Sequence, residues 1–522
     1  MGKTSQQELR MTDLSFDQQL EDWQRLSPLS ILFFIGKNIG AILKEGIATL
    51  APLGIVIFSS DNKIWLALSI IGVALAFTLV SSFLQFWFFK FKRDGNKVLI
   101  NDGVFKKNHR VIQFDRIQNI NILQPLYFKP FNLVTLQIET AGAKGNEADL
   151  AGITRAFAEY LRNQVLQQKE KFGSKLEDNK HTIETEANVL SQASLKDLVK
   201  YGVSSNGVFW FFAILAPFFP LLENHVEKAV NQENFLKLEE FLGGSIGADA
   251  IIIIGVILAA IILMFSFSII GAIVRYYNYQ LTLENNQAIS SNKMLKRSSG
   301  LLTNYEESLK LQKVQTMITQ SNFIGRWLKV INITLGQVSS SQNTPNSKNS
   351  LFVIPARTDK ETQAIQTNVF PDMPIDIETQ GINRRYVNKT LILKIISPAL
   401  VVCLPLYFSS DKWWFLVIPL VFTLIMFPLV IKRWKAYRFG MKDGYAKFER
   451  GLFGFRHMLF PLYKVQRAEI SQSPIQARND LATLKIYLAS GQVQMQYIPI
   501  DVARQWLDII GNHIKETQLA WY

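Results

Sequence analysis

GVFKKNHRVIQFDRIQ (Gly103–Gln118), GLLTNYEESLKLQKVQ (Gly300–Gln315) and GLFGFRHMLFPLYKVQ (Gly451–Gln466) are three versions of one phrase. Each opens on Gly and closes 15 residues later on a basic residue, an aliphatic residue and Gln. The closing steps are Arg116-Ile117-Gln118, Lys313-Val314-Gln315 and Lys464-Val465-Gln466. A second Gln follows six residues on in the first and third versions (Gln124, Gln472), and five residues on in the middle one (Gln320). Recurrence of this kind marks one supersecondary unit used three times.

Working outward, each phrase stands behind a long apolar segment. Hydrophobic residues make up 48% of the 522 and are clustered. Ile64–Phe89, Val203–Leu222, Ala250–Val274 and Trp413–Ile431 carry no charge over 26, 20, 25 and 19 residues. About 20 helical residues cross a hydrocarbon core of about 30 Å. Ile42–Phe58, with Lys44 and Glu45, and Leu391–Phe408, with Lys394, read as two further spans whose charges sit at the interface. Six transmembrane helices in three hairpins are therefore predicted. Met1–Ser27 is polar and mixed in charge, so no secretory signal is expected.

Positive charge follows the second, fourth and sixth spans: Lys90, Lys92 and Arg93; Arg275; Lys432, Arg433 and Lys435. The opposite ends meet short polar loops or the acidic loop 223–249. This asymmetry predicts a multi-pass protein of the bacterial inner membrane with both termini in the cytoplasm. A formal charge of +14 suits a site beside an anionic leaflet. It does not suggest nucleic acid, since no basic run of five occurs and the cations track the membrane ends.

Behind each hairpin the pattern changes to short alternating runs punctuated by Asp94-Gly95, Asn101-Asp102-Gly103 and Asp443-Gly444, which reads as antiparallel strands joined by tight turns. Each unit then closes on a helix, the first beginning near Thr154 and the last near Asp501. The fold class is thus an α+β membrane protein in which each hairpin precedes a small antiparallel β-barrel or sandwich with a C-terminal helix. The expected organisation is a polar segment 1–26, hairpin 27–89, β-domain 90–172, linker 173–193, hairpin 194–274, β-domain 275–366 interrupted by a loop 339–350, linker 367–381, hairpin 382–431 and β-domain 432–522.

A hairpin, the Gly phrase, the basic-aliphatic-Gln step and a terminal helix resemble the bacterial pleckstrin-homology family of the second type. Three such units on six spans look like its YdbT-like membrane proteins with three PH-like domains. The resemblance implies a fold and a location, no established reaction, a smaller companion with a single such domain, and assembly into an oligomer.

Catalytic chemistry is not nominated. His109, His181, His225, His457 and His513 are far apart, and Cys403 is the only cysteine, so no disulfide forms within the chain and no cysteine-ligated zinc is expected. No phosphate-binding Gly loop or Gly-x-Ser-x-Gly elbow occurs. No catalytic residue, metal site or cofactor is therefore expected. The repeat-motif positions are Gly103, Arg116, Gln118, Gly300, Lys313, Gln315, Gly451, Lys464 and Gln466. For the basic ones, pairing with acids or covering apolar surface is the first expectation. Candidates for anionic-lipid contact are Lys90, Lys92, Arg93, Lys106, Lys107, Arg110, Lys432, Arg433, Lys435 and Arg438. The preferred function is a non-enzymatic inner-membrane scaffold that displays three PH-like domains for protein–protein assembly, in contact with membrane lipid. Its partners are a smaller single-PH-domain membrane protein, a second copy of itself, or both. The alternative is a transporter or export component, which charge-free spans disfavour.

Overall fold

The computed structural model describes residues 22–42, 62–140, 148–173, 186–205, 246–285, 293–337, 352–374, 376–410 and 414–516. Most of the predicted spans Ile42–Phe58 and Val203–Leu222, nearly all of the acidic loop, and the loop 339–350 lie outside them. Among the described residues three helices are long and apolar enough to cross a membrane, Leu68–Phe88, Arg385–Ser409 and Val417–Lys435. Six spans were expected. Ser30–Ile42 and Ile261–Tyr276 are shorter apolar helices.

In chain order the described helices are α1 (Ser30–Ile42), α2 (Lys63–Phe88), α3 (Arg155–Gly173), α4 (Leu195–Ser204), α5 (Ile246–Tyr276) and α6 (Asp359–Val369). Helix α7 runs from Arg385–Leu391 through a π turn, Ile392–Ile396, into Ser397–Ser410; α8 (Trp414–Lys435) and α9 (Ile500–Glu516) follow. Single-turn helices are left unnumbered. Helix α2 leaves Val73 and Phe77 each 71% exposed, and α8 leaves Leu420 and Leu424 similarly bare. Apolar surface on that scale is stable only in lipid.

The strands repeat in sets. The first is β1 (Gln24–Arg25), β2 (Lys90–Asp94), β3 (Lys97–Asp102), β4 (Asn108–Gln113), β5 (Ile117–Pro125), β6 (Leu133–Thr140) and β7 (Ala148–Thr154). The second is β8 (Glu186–Gln192), β9 (Gln280–Asn285), β10 (Met294–Ser299), β11 (Thr303–Lys310), β12 (Val314–Ser321), β13 (Ile331–Gln337) and β14 (Phe352–Arg357). The third is β15 (Gln380–Gly381), β16 (Arg438–Lys442), β17 (Tyr445–Arg450), β18 (Phe455–Pro461), β19 (Val465–Ser471), β20 (Leu481–Leu488) and β21 (Gly491–Pro499).

Two features differ from the linear reading. First, each set begins before its membrane segment. Strand β1 pairs with β2, β8 with β9 and β15 with β16, so the apolar helices are inserted between the first and second strands of a unit. Strands β8 and β15 fall within the stretches 173–193 and 367–381 that read as linkers. Second, the sheets do not close within one repeat. The chain forms two compact units, 1–184 with 296–308, and 185–295 with 309–522. In the first, β11 of the second repeat pairs antiparallel with β5 of the first. In the second, β18 of the third repeat pairs antiparallel with β12 of the second. There the order β14-β13-β12-β18-β17-β16-β15 makes one seven-stranded sheet, beside a three-stranded β19-β20-β21.

The repeated phrase is the corner between the two halves of a unit. Its basic residue ends a 3-10 turn in every copy (Phe114–Arg116, Leu311–Lys313, Leu462–Lys464), and the strand that follows belongs to the next sheet. Its Gly has one steric reason. A Cβ on Gly103, Gly300 or Gly451 would collide with the carbonyl oxygen three residues on, of Lys106, Thr303 or Gly454. The later side chain also recurs. Gln124 Nε2 donates to the Leu133 carbonyl at 3.3 Å and Gln472 Nε2 to that of Leu481 at 2.8 Å. In the middle repeat Ser321 Oγ donates to the Val330 carbonyl at 2.8 Å, so Ser321, not Gln320, fills that place.

Burial follows the shared sheets. One core in the first unit gathers Phe91, Ile100, Ile122, Leu136 and Leu161. In the second unit Leu281, Met317, Ile333 and Ile365 form a core that also takes Leu459 from the next repeat. Phe439, Phe460, Leu484, Ala503 and Trp506 form another. Helix α6 starts at a capping box in which Thr358 and Glu361 satisfy each other's backbone N–H.

Replacing Gly300 (φ +125°) by Ala forces both the clash and a left-handed conformation that side chains rarely adopt. We expect Gly300→Ala to cost about 2 kcal/mol or more. This is read as a lowered midpoint of thermal unfolding in detergent; an unchanged midpoint would remove the steric account of the phrase.

Candidate functional site

A cleft of about 1260 Å³ opens in the second compact unit. Its walls come from the ends of α4, α5 and α8, the π turn of α7, and strands β12, β13, β17, β18 and β21. Tyr201, Phe267 and Tyr276 supply aromatic surface, while Ser204, Ser205, Ser268 and Asn322 supply polar groups. These polar groups are locked together: Ser268 Oγ donates to the Gly202 carbonyl at 2.6 Å and Asn322 Nδ2 to that of Ser204 at 2.6 Å.

Its electrostatics are lopsided. Lys394, Arg275, Arg433, Arg450 and Arg456 line it, against a single carboxylate among the described residues, Glu449. Arg275 and Arg433 lie in the last turns of α5 and α8, where apolar helices end. Lys394 sits in the π turn, an irregularity that recurs at functional sites. Arg450 and Arg456 are directly opposite each other across the β17–β18 pair. Like charges so placed repel.

The one carboxylate is already occupied. Burial by itself would raise the Glu449 carboxyl, but the Lys447 ammonium at 2.7 Å, with His457 and Arg438 nearby, holds it below its ordinary value. Arg456 is depressed by burial and by the neighbouring Arg450 charge. Its buried Nε has no hydrogen-bond partner among the described residues. A half-buried guanidinium without an acid is costly, and an anion entering the cleft would relieve that cost. The arrangement suits an anionic head of modest size, with apolar neighbours on the α5 side.

Most of the candidates read from sequence are elsewhere. Arg93 donates to Tyr160 Oη at 3.1 Å and Lys92 stands over the Trp23 ring, so both are used in packing. Arg110 pairs with Asp102, and Lys106 and Lys107 are exposed on a turn. Lys432 covers Phe453, Arg438 is bound to Thr379, and Lys435 is exposed. Of that set only Arg433 reaches the cleft. The members outside that set are Lys394, Arg275, Arg450 and Arg456; for the last two the signal was a hairpin through Gly451–Gly454, which must bring them opposite each other.

The basic residue of the phrase differs in burial between copies. Arg116 is exposed, whereas Lys464 is buried and donates to the Gln312 carbonyl at 2.7 Å. Pairing with acids or covering apolar surface was the expectation; Lys464 reaches a backbone carbonyl of the preceding repeat and lies over the Tyr463 ring. Among the described residues no group of three or more His, Cys, Asp or Glu is placed to hold a metal.

Burial lowers the Lys464 ammonium from 10.5 to about 8. The unfolded chain then binds its proton at higher pH than the folded one does. The wild type should gain stability over Lys464→Met as pH rises from about 8 to 10.5, by on the order of 1–2 kcal/mol. Parallel unfolding midpoints for the two proteins across that window would contradict it.

Comparison with known proteins finds the repeated unit three times. The family described as bacterial PH domain matches residues 45–169, 236–371 and 392–514. Each match ends within a closing helix or just after it. UPF0699 transmembrane protein YdbT of Bacillus subtilis (strain 168) is 22% identical over 491 residues, covering 92% of this chain and 96% of the relative.

Proposed function

Since the chain belongs to the bacterial PH domain family, with three copies in a membrane protein, we propose that it is a non-enzymatic scaffold of the inner membrane whose cleft holds an anionic lipid headgroup. On this reading both termini and all three PH-like units face the cytoplasm. The observation that carries it is the excess of cations, Arg456 above all, gathered where apolar helices end. Such a place meets phosphate-bearing headgroups at the leaflet surface, where each cation contributes about 1 kcal/mol.

Supporting the scaffold over a transporter, several hydroxyls along the apolar helices are spent on their own helix, while Ser268, Asn38 and Gln85 bond to a neighbouring helix. Thr78 donates to the Ala74 carbonyl at 2.7 Å, Ser266 to that of Ile262 at 2.8 Å and Thr423 to that of Pro419 at 2.7 Å. Hydroxyls engaged one turn back on their own helix do not mark a conduction path.

The test is thermal unfolding of the full chain in nanodiscs of phosphatidylglycerol against phosphatidylcholine. The anionic lipid should raise the midpoint, and Arg450→Gln with Arg456→Gln should abolish most of that rise, weakening binding about 30-fold. Relieved of like-charge repulsion, the double variant should be no less stable than wild type in phosphatidylcholine. Equal midpoints of the wild type in both lipids would refute the headgroup reading.

A further inference from the structure

The two places where repeats join obey one rule. Position counted from the phrase's Gln fixes one strand, and position counted from the next phrase's Gly fixes the other. In the first junction Gln124, six after Gln118, faces Asn304, four after Gly300, and Ile122 faces Glu306. In the second, Ser321, six after Gln315, faces Phe455, four after Gly451, and Thr319 faces His457. The register is identical.

Applied a third time, the rule finds no fourth phrase to supply the facing strand. Strand β19 ends the order β19-β20-β21, and β4 ends the order β1-β2-β3-β4, so among the described residues each is an open edge. These are the two kinds of edge that the junctions unite. Both also bear the mark of a missing neighbour. Ile120, Ile122, Met317 and Thr319 are buried, whereas their counterparts on β19, Ala468 and Ile470, are only half-buried. On the other side Leu459 is 4% exposed inside the preceding repeat's core, while its counterpart on β4, Val111, is 54% exposed.

We propose that β19 is completed by β4 of a second copy of this chain, antiparallel and in the register of the internal junctions. That register sets Ile470 against His109, Ala468 against Val111, and Glu469 against Arg110, which bring opposite charges together. It also pairs the open N–H and C=O groups of both edges. The second copy sits in the same membrane. Strands β2, β9 and β16 each start within a few residues of an apolar helix end, at Phe88, Tyr276 and Lys435, so each repeat is tethered directly to its own membrane segment. The contact joins two different surfaces, so copies associate head to tail into a ring or a row. This deepens the scaffold reading by naming a partner and is independent of the anion cleft.

The test uses two separately tagged full-length chains, both Cys403→Ser, co-expressed in membranes. One carries Ile470→Cys and the other His109→Cys. Opposed residues of an antiparallel pair have Cα atoms about 4.5–5.5 Å apart, within disulfide reach. Mild oxidation should join the two tags, and Arg467→Cys with His109→Cys, out of register, should not. Val111→Lys, an exposed position whose change leaves the fold intact, should cut the cross-link at least tenfold. No product above the single-cysteine controls, or Ile470→Cys captured by a different protein, would overturn the proposal. The lipid-dependent stability of the cleft would be unaffected by either outcome, so failure here is distinct from failure there.

Discussion

A strand edge carries a row of N–H and C=O groups that must be paired or wetted, and this chain pairs them between repeats. Strand β11 covers β5 and β18 covers β12, in one register. Everything else leans on that arrangement. Because β18 lies against β12, Leu459 enters a core that its own repeat does not own, and β13 is buried along almost its whole length. A PH-like unit of this chain is therefore complete only beside its neighbour.

The corner phrase makes such pairing possible. A 3-10 turn after β4, β11 and β18 redirects the chain, so that in the second and third repeats one half serves the preceding unit and the other half serves its own closing helix. The Gly lets the backbone fold tightly onto a carbonyl three residues on. The same pairing shapes the cleft. Turning from β17 into β18 sets Arg450 against Arg456, and the β12–β18 pair brings Gln320 opposite Arg456 beside the ends of α5 and α8. Packing that stabilises the sheet thus leaves Arg450 and Arg456 facing each other without an acid among the described residues, and the proposed anion would answer that charge.

The spacing from Gly103, Gly300 and Gly451 to the matching Gln residues was legible because it is local: a turn and a corner are specified by neighbours in sequence. The apolar helices α2, α7 and α8 were legible for the same reason. What pairs with what was not. Strands β1 and β15 are two residues long, too short for any periodicity, and each finds its partner only across a membrane segment. The exchange of strands between repeats is non-local and has no periodic signature. The cleft draws Lys394, Arg275, Arg433, Arg450 and Arg456 from separate elements, so basic runs such as Lys90–Arg93 drew attention that strand packing had already claimed.

Hydrogen exchange of the backbone amides tests the pairing of repeats most directly. If the junctions are continuous sheet, amides of Thr303–Glu306 and of Phe455–Leu459 that face β5 and β12 should exchange as slowly as those of β6 and β13. Rapid exchange of β11 and β18, as free edges beside protected β10 and β17, would contradict a chain whose repeats are joined strand to strand.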